Sequence, residues 1–194
     1  MKKGLLIVFS GPSGVGKGTV IKELMKDEKL NLVYSISMTT RAPREGEVDG
    51  VNYFFVDKEE FMRAIDNNEL LEHASFVDNF YGTPKKYVES QRALGNNVLL
   101  EIETVGAKQV MEKAKDDKGC VSIFITPPSI EELEKRIRGR QTESEEVIQK
   151  RVSKAMQELK ETQHYKHVVC NDDLAITIEN IRNILLEEIN EYNK

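Results

Sequence analysis

Four short apolar runs, each followed by a stretch with helical spacing, organise this chain. Leu5-Leu6-Ile7-Val8-Phe9 contains no polar side chain and stops at Ser10-Gly11-Pro12, the pattern of a strand buried on both faces of a parallel sheet. Val98-Leu99-Leu100, Val121-Ser122-Ile123-Phe124-Ile125 and His167-Val168-Val169-Cys170 repeat it. Strands and helices alternating in this way predict an α/β fold, a parallel sheet flanked by helices. The first helix is expected from about Thr19 to Lys26. Thr83-Pro84 predicts an N-cap with proline at the first helical position, and Ser129 with Glu132 predicts a capping box. In the last helix Leu174, Ile178, Ile181 and Leu185 share one face and are expected in the core.

Two stretches break the alternation. From Ser35 to about Tyr87, short alternating segments such as Tyr53-Phe54-Phe55-Val56 and Leu70 to Val77 predict a small, mostly antiparallel insert. Ile137 to Arg151 is dense in Arg, Glu, Gln and Thr with little to bury, and reads as a mobile, solvated flap. The expected organisation is one domain: a core of residues 1–34, 88–128 and 155–194, an insert at 35–87 and a lid at 129–154. A length of 194 residues suits one compact domain better than two.

Composition narrows the function classes. With 39% hydrophobic and 31% charged residues, the chain is an ordinary globular protein. A net charge of -5 argues against general nucleic-acid binding, which needs a broad basic surface, so phosphate ligands must meet locally clustered Arg and Lys. Leu5 to Phe9 is too short for a signal-peptide core, and no segment approaches the roughly 18 apolar residues of a membrane span. A cytoplasmic address is therefore expected. Cys120 and Cys170 sit in strand-like runs and are expected to be buried, reduced thiols. His73, His164 and His167 lack partners at metal-ligand spacing, so no zinc site is expected.

Gly11-Pro12-Ser13-Gly14-Val15-Gly16-Lys17 joins the first strand to the first helix, the context of a phosphate-binding P-loop. Glycines let the backbone turn tightly, so that N–H groups and the helix dipole face polyphosphate oxygens. Lys17 adds a full charge between the β- and γ-phosphates. Gly18 stands where many such loops carry the Ser or Thr hydroxyl that ligates Mg2+, and Thr19 is a candidate phosphate contact instead. Magnesium is then expected to be held mainly by nucleotide phosphates and waters. The ending Lys-Gly-Thr resembles nucleoside monophosphate kinases.

Arg41 and Arg44 lie three residues apart in Ser37-Met38-Thr39-Thr40-Arg41-Ala42-Pro43-Arg44. Such a pair suits bidentate neutralisation of a monophosphate dianion, though two solvated loop charges would look the same. That segment, with Gly50-Val51-Asn52-Tyr53-Phe54-Phe55 behind it, resembles the GMP-binding region of the guanylate kinase family. Asn68-Glu69-Leu70-Leu71-Glu72, Tyr81-Gly82-Thr83, Arg136 to Arg140, Arg151 and Asn171-Asp172 follow in family order, so the resemblance covers nearly the whole chain. It implies ATP-dependent phosphorylation of GMP, with dGMP as a candidate acceptor. Arg41, Arg44, Tyr53 and Tyr81 would hold the GMP phosphate, and Ser37, Glu72 and Thr83 would address guanine. Residues Gly11 to Thr19 would hold ATP, with adenine near Asn171. A carboxylate such as Glu72 can accept the N1–H and N2–H donors of guanine together, and adenine has no N1–H to offer.

Val98-Leu99-Leu100-Glu101-Ile102-Glu103 ends a strand with two carboxylates on one side, at the strand end where α/β sheets gather ligands. The resemblance points Glu103 toward GMP or the metal-water shell. Asp is commoner there in the family, and Val105 follows where Gln is frequent. Arg136 and Arg140 share a helix face and Arg151 projects from the next helix; a lid delivering them would stabilise the transferring phosphoryl group. Solvated helix charges would have the same spacing. Gln141 replaces a frequent glycine and is expected to stiffen that turn. Two other functions fit parts of the pattern: a protein-interaction module on the same fold, against which the intact loop and Lys17 speak, and a kinase for another monophosphate.

Overall fold

The apolar runs lie side by side. A computed structural model gives the structure of residues 2–76, 78–139 and 144–194. Strands β1 (Leu6–Ser10), β2 (Leu32–Tyr34), β7 (Asn97–Glu101), β8 (Cys120–Thr126) and β9 (His167–Cys170) form one sheet. Its order is β2-β7-β1-β8-β9, and every pairing is parallel. β1 sits in the middle with each residue buried. Leu5, Ile7 and Phe9 enter one apolar cluster, Leu6 and Val8 the other. That is the period of two of a strand covered on both faces.

The first cluster is closed by helices α1 (Lys17–Leu24), α5 (Ile130–Arg138), α6 (Glu145–Glu158) and α7 (Leu174–Tyr192). The second is closed by α3 (Lys85–Ala93) and α4 (Thr104–Lys113). Between β2 and α3 lies the insert: β3 (Met38–Thr39), β4 (Phe54–Phe55), α2 (Lys58–Asp66), β5 (Leu70–Phe76) and β6 (Asn79–Pro84). Its sheet runs β4-β3-β6-β5; β6 is antiparallel to both neighbours, and β3 with β4 is parallel. Phe61, Ala64 and Leu70 give it a small core of its own. The mostly antiparallel insert is found as expected.

Several local expectations are corrected. α1 begins at Lys17, two residues before Thr19. Thr83 is not the cap of α3: Pro84 is, without a side-chain bond, because the Thr83 hydroxyl donates to Glu72 at 2.7 Å. Only half the capping box forms. Ser129 Oγ accepts the Glu132 N–H at 3.1 Å, but the Glu132 carboxylate pairs with Arg136. In α7 the buried stripe is Thr177, Ile181, Leu185 and Glu188; Ile178 is half-buried and Leu174 is exposed. Cys170 is exposed and Cys120 half-buried, both free; burial pushes the Cys120 thiol up to about 11. The stretch from Ile137 to Arg151 has more to bury than its composition suggests, since Ile137 and Ile148 join the first core cluster together with Val152. Among the described residues no helix is long and apolar enough to cross a membrane.

Candidate functional site

The site begins where β1 ends. Ser10 is buried and its hydroxyl donates to the Ile102 carbonyl at 2.6 Å, tying the ends of β1 and β7 together. Beyond it the chain turns through residues 11–16. Gly16 caps α1 at φ 102° with no side-chain hydrogen bond, so the first-turn N–H groups of α1 stay open and its positive end points outward. A Cβ on Gly16 would lie 2.7 Å from Asn171 Nδ2, which fixes the residue type twice over, by backbone conformation and by space. The Asn171 amide donates to the Val15 carbonyl at 2.8 Å, and the Val15 side chain is fully buried in the core. Together they hold the loop from behind. Lys17 Nζ donates to the carbonyls of Gly11 at 2.6 Å and Pro12 at 3.2 Å. Burial lowers the Lys17 pKa, and Glu101, Glu158 and Glu103 oppose that shift.

In front of the loop lies a cleft of about 790 Å³, lined by Gly14, Gly16, Lys17, Gly18 and Thr19 together with Glu101, Glu103, Lys154 and Glu158. A second cavity of about 350 Å³ carries Ser37, Glu72, Tyr81 and Gly106. Tyr53, Glu101, Ile102 and Glu103 line both, so the two spaces adjoin at the end of β7. Glu72 is 5% exposed. Burial raises its pKa and Glu103 adds to the rise, while the Thr83 hydrogen bond and Lys113 oppose it. A buried carboxylate with one oxygen bonded to Thr83 is built to accept paired donors.

Charged groups surround the joint. Arg41 is ion-paired with Glu47 at 2.8 Å, and its guanidinium lies 5.4 Å from the Tyr53 ring centre; the rings of Tyr53 and Tyr81 meet edge to face at 6.1 Å. Across the cleft, Lys154 pairs with Glu103 at 2.9 Å and Arg151 donates to Ser13 Oγ at 2.8 Å. Glu158 is 7% exposed, and its Oε2 has no hydrogen-bond partner among the described residues. Desolvation raises its pKa. Open N–H groups with an ammonium on one side, and a buried carboxylate on the other, suit a polyphosphate and a donor-bearing ring placed end to end.

The family model described as "Guanylate kinase" matches residues 3–188. The chain belongs to the guanylate kinase family. A guanylate kinase of Mycoplasma capricolum is 54% identical over 185 residues, covering 95% of this chain and 61% of that protein. The chain thus spans about three fifths of the length of the first curated relatives it matches. A guanylate kinase of Latilactobacillus sakei is 48% identical over 199 residues, 99% of this chain and 97% of its own. Among solved structures, the guanylate kinase from Anaplasma phagocytophilum is similar, with TM-score 0.74 and 39% identity over 97% of this chain and 87% of that one.

Within this guanylate kinase fold the residues singled out from sequence fall into three groups. Gly11, Ser13, Gly14, Gly16, Lys17, Gly18, Thr19, Tyr53, Glu103 and Arg151 line the larger cleft. Ser37, Glu72 and Tyr81 join Tyr53 and Glu103 in the smaller one. Others stand behind these. Pro12 and Val15 are buried, Thr83 backs Glu72, Arg41 is paired with Glu47, and Arg44 is exposed. Arg136 donates to the Asn171 carbonyl at 3.0 Å and pairs with Glu132. Asn171, expected beside adenine, spends its amide on the loop. Arg140 and Gln141 lie outside the described residues. Glu47, Tyr34, Lys154 and Glu158 were not singled out. Lys154 and Glu158 had a signal, standing three and seven residues after Arg151 on one face of α6. Tyr34, which donates to Glu101 at 3.1 Å, had none.

Proposed function

We propose that the protein transfers the γ-phosphoryl group of ATP to GMP, giving ADP and GDP, and so returns GMP to the purine nucleotide pool. The observation that carries this reading is the shared wall. The cleft before Lys17 and the cavity holding Glu72 meet at Glu101–Glu103, in a chain of the guanylate kinase family. ATP lies with its phosphates on the P-loop of residues 11–19, and GMP, or dGMP, lies with its base at Glu72, Ser37 and Thr83. Tyr53, Tyr81, Arg41 and Arg44 hold the acceptor phosphate; for Arg41 this means exchanging Glu47 for the phosphate dianion.

A GMP phosphate oxygen forms the new bond to the γ-phosphorus while the bond from that phosphorus to the β,γ-bridging oxygen breaks, and the electron pair leaves with ADP. The attacking oxygen is already ionised, so the protein need not remove a proton and acts by positioning and charge stabilisation. Lys17, Arg136, Arg140 and Arg151 supply the charge. The core is residues 1–34, 88–128 and 155–194, the acceptor insert 35–87 and the lid 129–154, which closes over both nucleotides. Among the described residues no group of three or more His, Cys, Asp or Glu is placed to hold a metal ion, and Gly18 offers no hydroxyl. This donor set suits Mg2+ carried by the phosphates with its waters accepted by Glu101 and Glu103. When bound, the ion neutralises charge on the β- and γ-phosphates. The setting is the cytoplasm.

The test is a coupled assay of ADP formation with GMP, AMP and UMP as acceptors. Turnover with GMP should exceed the others by roughly 100-fold or more in kcat/KM. Equal turnover with AMP, or no acceptor-dependent ADP, would overturn the reading.

A further inference from the structure

The strand that carries Glu72 is irregular at Glu72 itself. β5 and β6 pair residue for residue from His73↔Gly82 to Phe76↔Asn79, yet Leu70 faces Pro84, so Leu71 and Glu72 together stand opposite Thr83. One extra residue in one strand is a β-bulge, which disrupts the ladder and re-aims side chains. The packing reflects this. Leu70 belongs to the insert core with Phe61 and Ala64, whereas Leu71 belongs to the cluster of Ala107 and Val110 in α4. Glu72 follows it toward α4: a Cβ on Gly106 would lie 2.6 Å from Glu72 Oε2.

One face of α4 compensates the bulge. Gln109 Oε1 accepts the His73 N–H at 3.2 Å, and Gln109 Nε2 donates to the His73 carbonyl at 3.0 Å. Lys113 Nζ donates to the Leu70 carbonyl at 3.0 Å. Gly106, Gln109 and Lys113 recur at intervals of three and four, a single helical stripe. A side-chain amide offers one acceptor and two donors, so Gln109 serves His73 as a neighbouring strand would. Gly106 leaves room for the carboxylate, Gln109 fastens the residue after it, and Lys113 fastens the start of the bulge.

We propose that Gln109 is a positioning residue for recognition of the acceptor base, fixing the bulge that aims the Glu72 carboxylate. The proposal rests on the base-reading role assigned to Glu72. Gln109 itself makes no claim on ATP, so its removal acts on one substrate.

Gln109→Met keeps the volume and the helix while removing both hydrogen bonds. KM for GMP should rise about 10-fold, with KM for ATP unchanged and kcat within about threefold. The His73 amide should exchange with solvent at least about 10-fold faster. In a Glu72→Gln background the same change should add less than about twofold to KM for GMP. Equal rises in both KM values, or faster His73 exchange with KM for GMP unchanged, would reduce Gln109 to a structural part and overturn the proposal. Glu72→Gln alone separates the failures: if it alters GMP selectivity while Gln109→Met is silent, only the positioning role falls. If Glu72→Gln is itself silent, the base reading falls and takes this inference with it. Should Gln109→Met not fold, Gln109→Glu, which keeps the acceptor and loses the donor, is read by the same measurements.

Discussion

A carboxylate as deeply buried as Glu72 weakens the fold wherever it is charged. Its pKa in the folded chain stands above the ordinary glutamate value near 4.5, so the folded state binds more protons than the unfolded one in between. Its favourable contribution is therefore complete below pH 4.5 and is lost as pH rises through the raised value; Glu158, raised for the same reason, has the same sign. Glu72→Gln should then gain stability over the wild type at pH 8 and none at pH 4, while KM for GMP rises by about 10-fold or more. Urea titrations at the two pH values check the first part, and a variant no more stable at pH 8 would contradict it. Lys17 carries the complementary prediction. Its ammonium is desolvated and, among the described residues, donates to the loop carbonyls of Gly11 and Pro12, so Lys17→Met should cut kcat by about 100-fold or more at unchanged melting temperature. The sequence singled out Lys17 by its local glycine-rich pattern and Glu72 through the family resemblance. Gln109 was not, since its partner His73 is 36 positions away and nothing at short range marks the pair.

At the scale of elements, strands declared themselves better than helices. β1 is apolar from Leu6 to Phe9 because it is covered on both faces, so its burial needs no knowledge of its neighbours. A helix face depends on what it lies against, which is why Leu174 was misplaced: α7 reaches the core only from Thr177 onward. Ile181 is fully buried among residues of the first cluster, and Ile181→Ala should cost about 2–5 kcal/mol in urea unfolding. Asn171→Ala leaves the Val15 carbonyl without its donor and should cost about 1–3 kcal/mol, with a weaker affinity for ATP measured by calorimetry. Thiol labelling of the folded protein at pH 8 should modify exposed Cys170 and leave Cys120 until unfolding, since burial holds its thiol up at about 11 and only the thiolate reacts. Equal labelling rates would contradict that burial. The arginine-rich stretch of α5 and α6 misled for a related reason: charge density hid Ile137 near the end of α5 and the pair Ile148 and Val152, one turn apart on α6, all three of which join the first core cluster.

For the whole molecule, the informative feature is the joint between two sheets of different character. The parallel sheet brings the glycine loop and Glu101–Glu103 together at the carboxyl ends of β1 and β7, and the insert brings Glu72, Tyr53 and Tyr81 to the same place. An overall charge of -5 is compatible with anionic ligands because Lys17, Arg41, Arg151 and Lys154 gather near that joint. The α/β class and the existence of the insert could be read from apolar periodicity alone; the meeting of the two cavities could not, because it depends on how β7 and the insert are placed relative to one another. The central claim is that two nucleotides lie end to end across this joint. Calorimetric titration with a guanosine and an adenosine linked through a chain of phosphates tests it most directly. Binding at one site, at least about 100-fold tighter than GMP or ATP alone and displaced by either, is the predicted result; an affinity no greater than that of the better single nucleotide would contradict it.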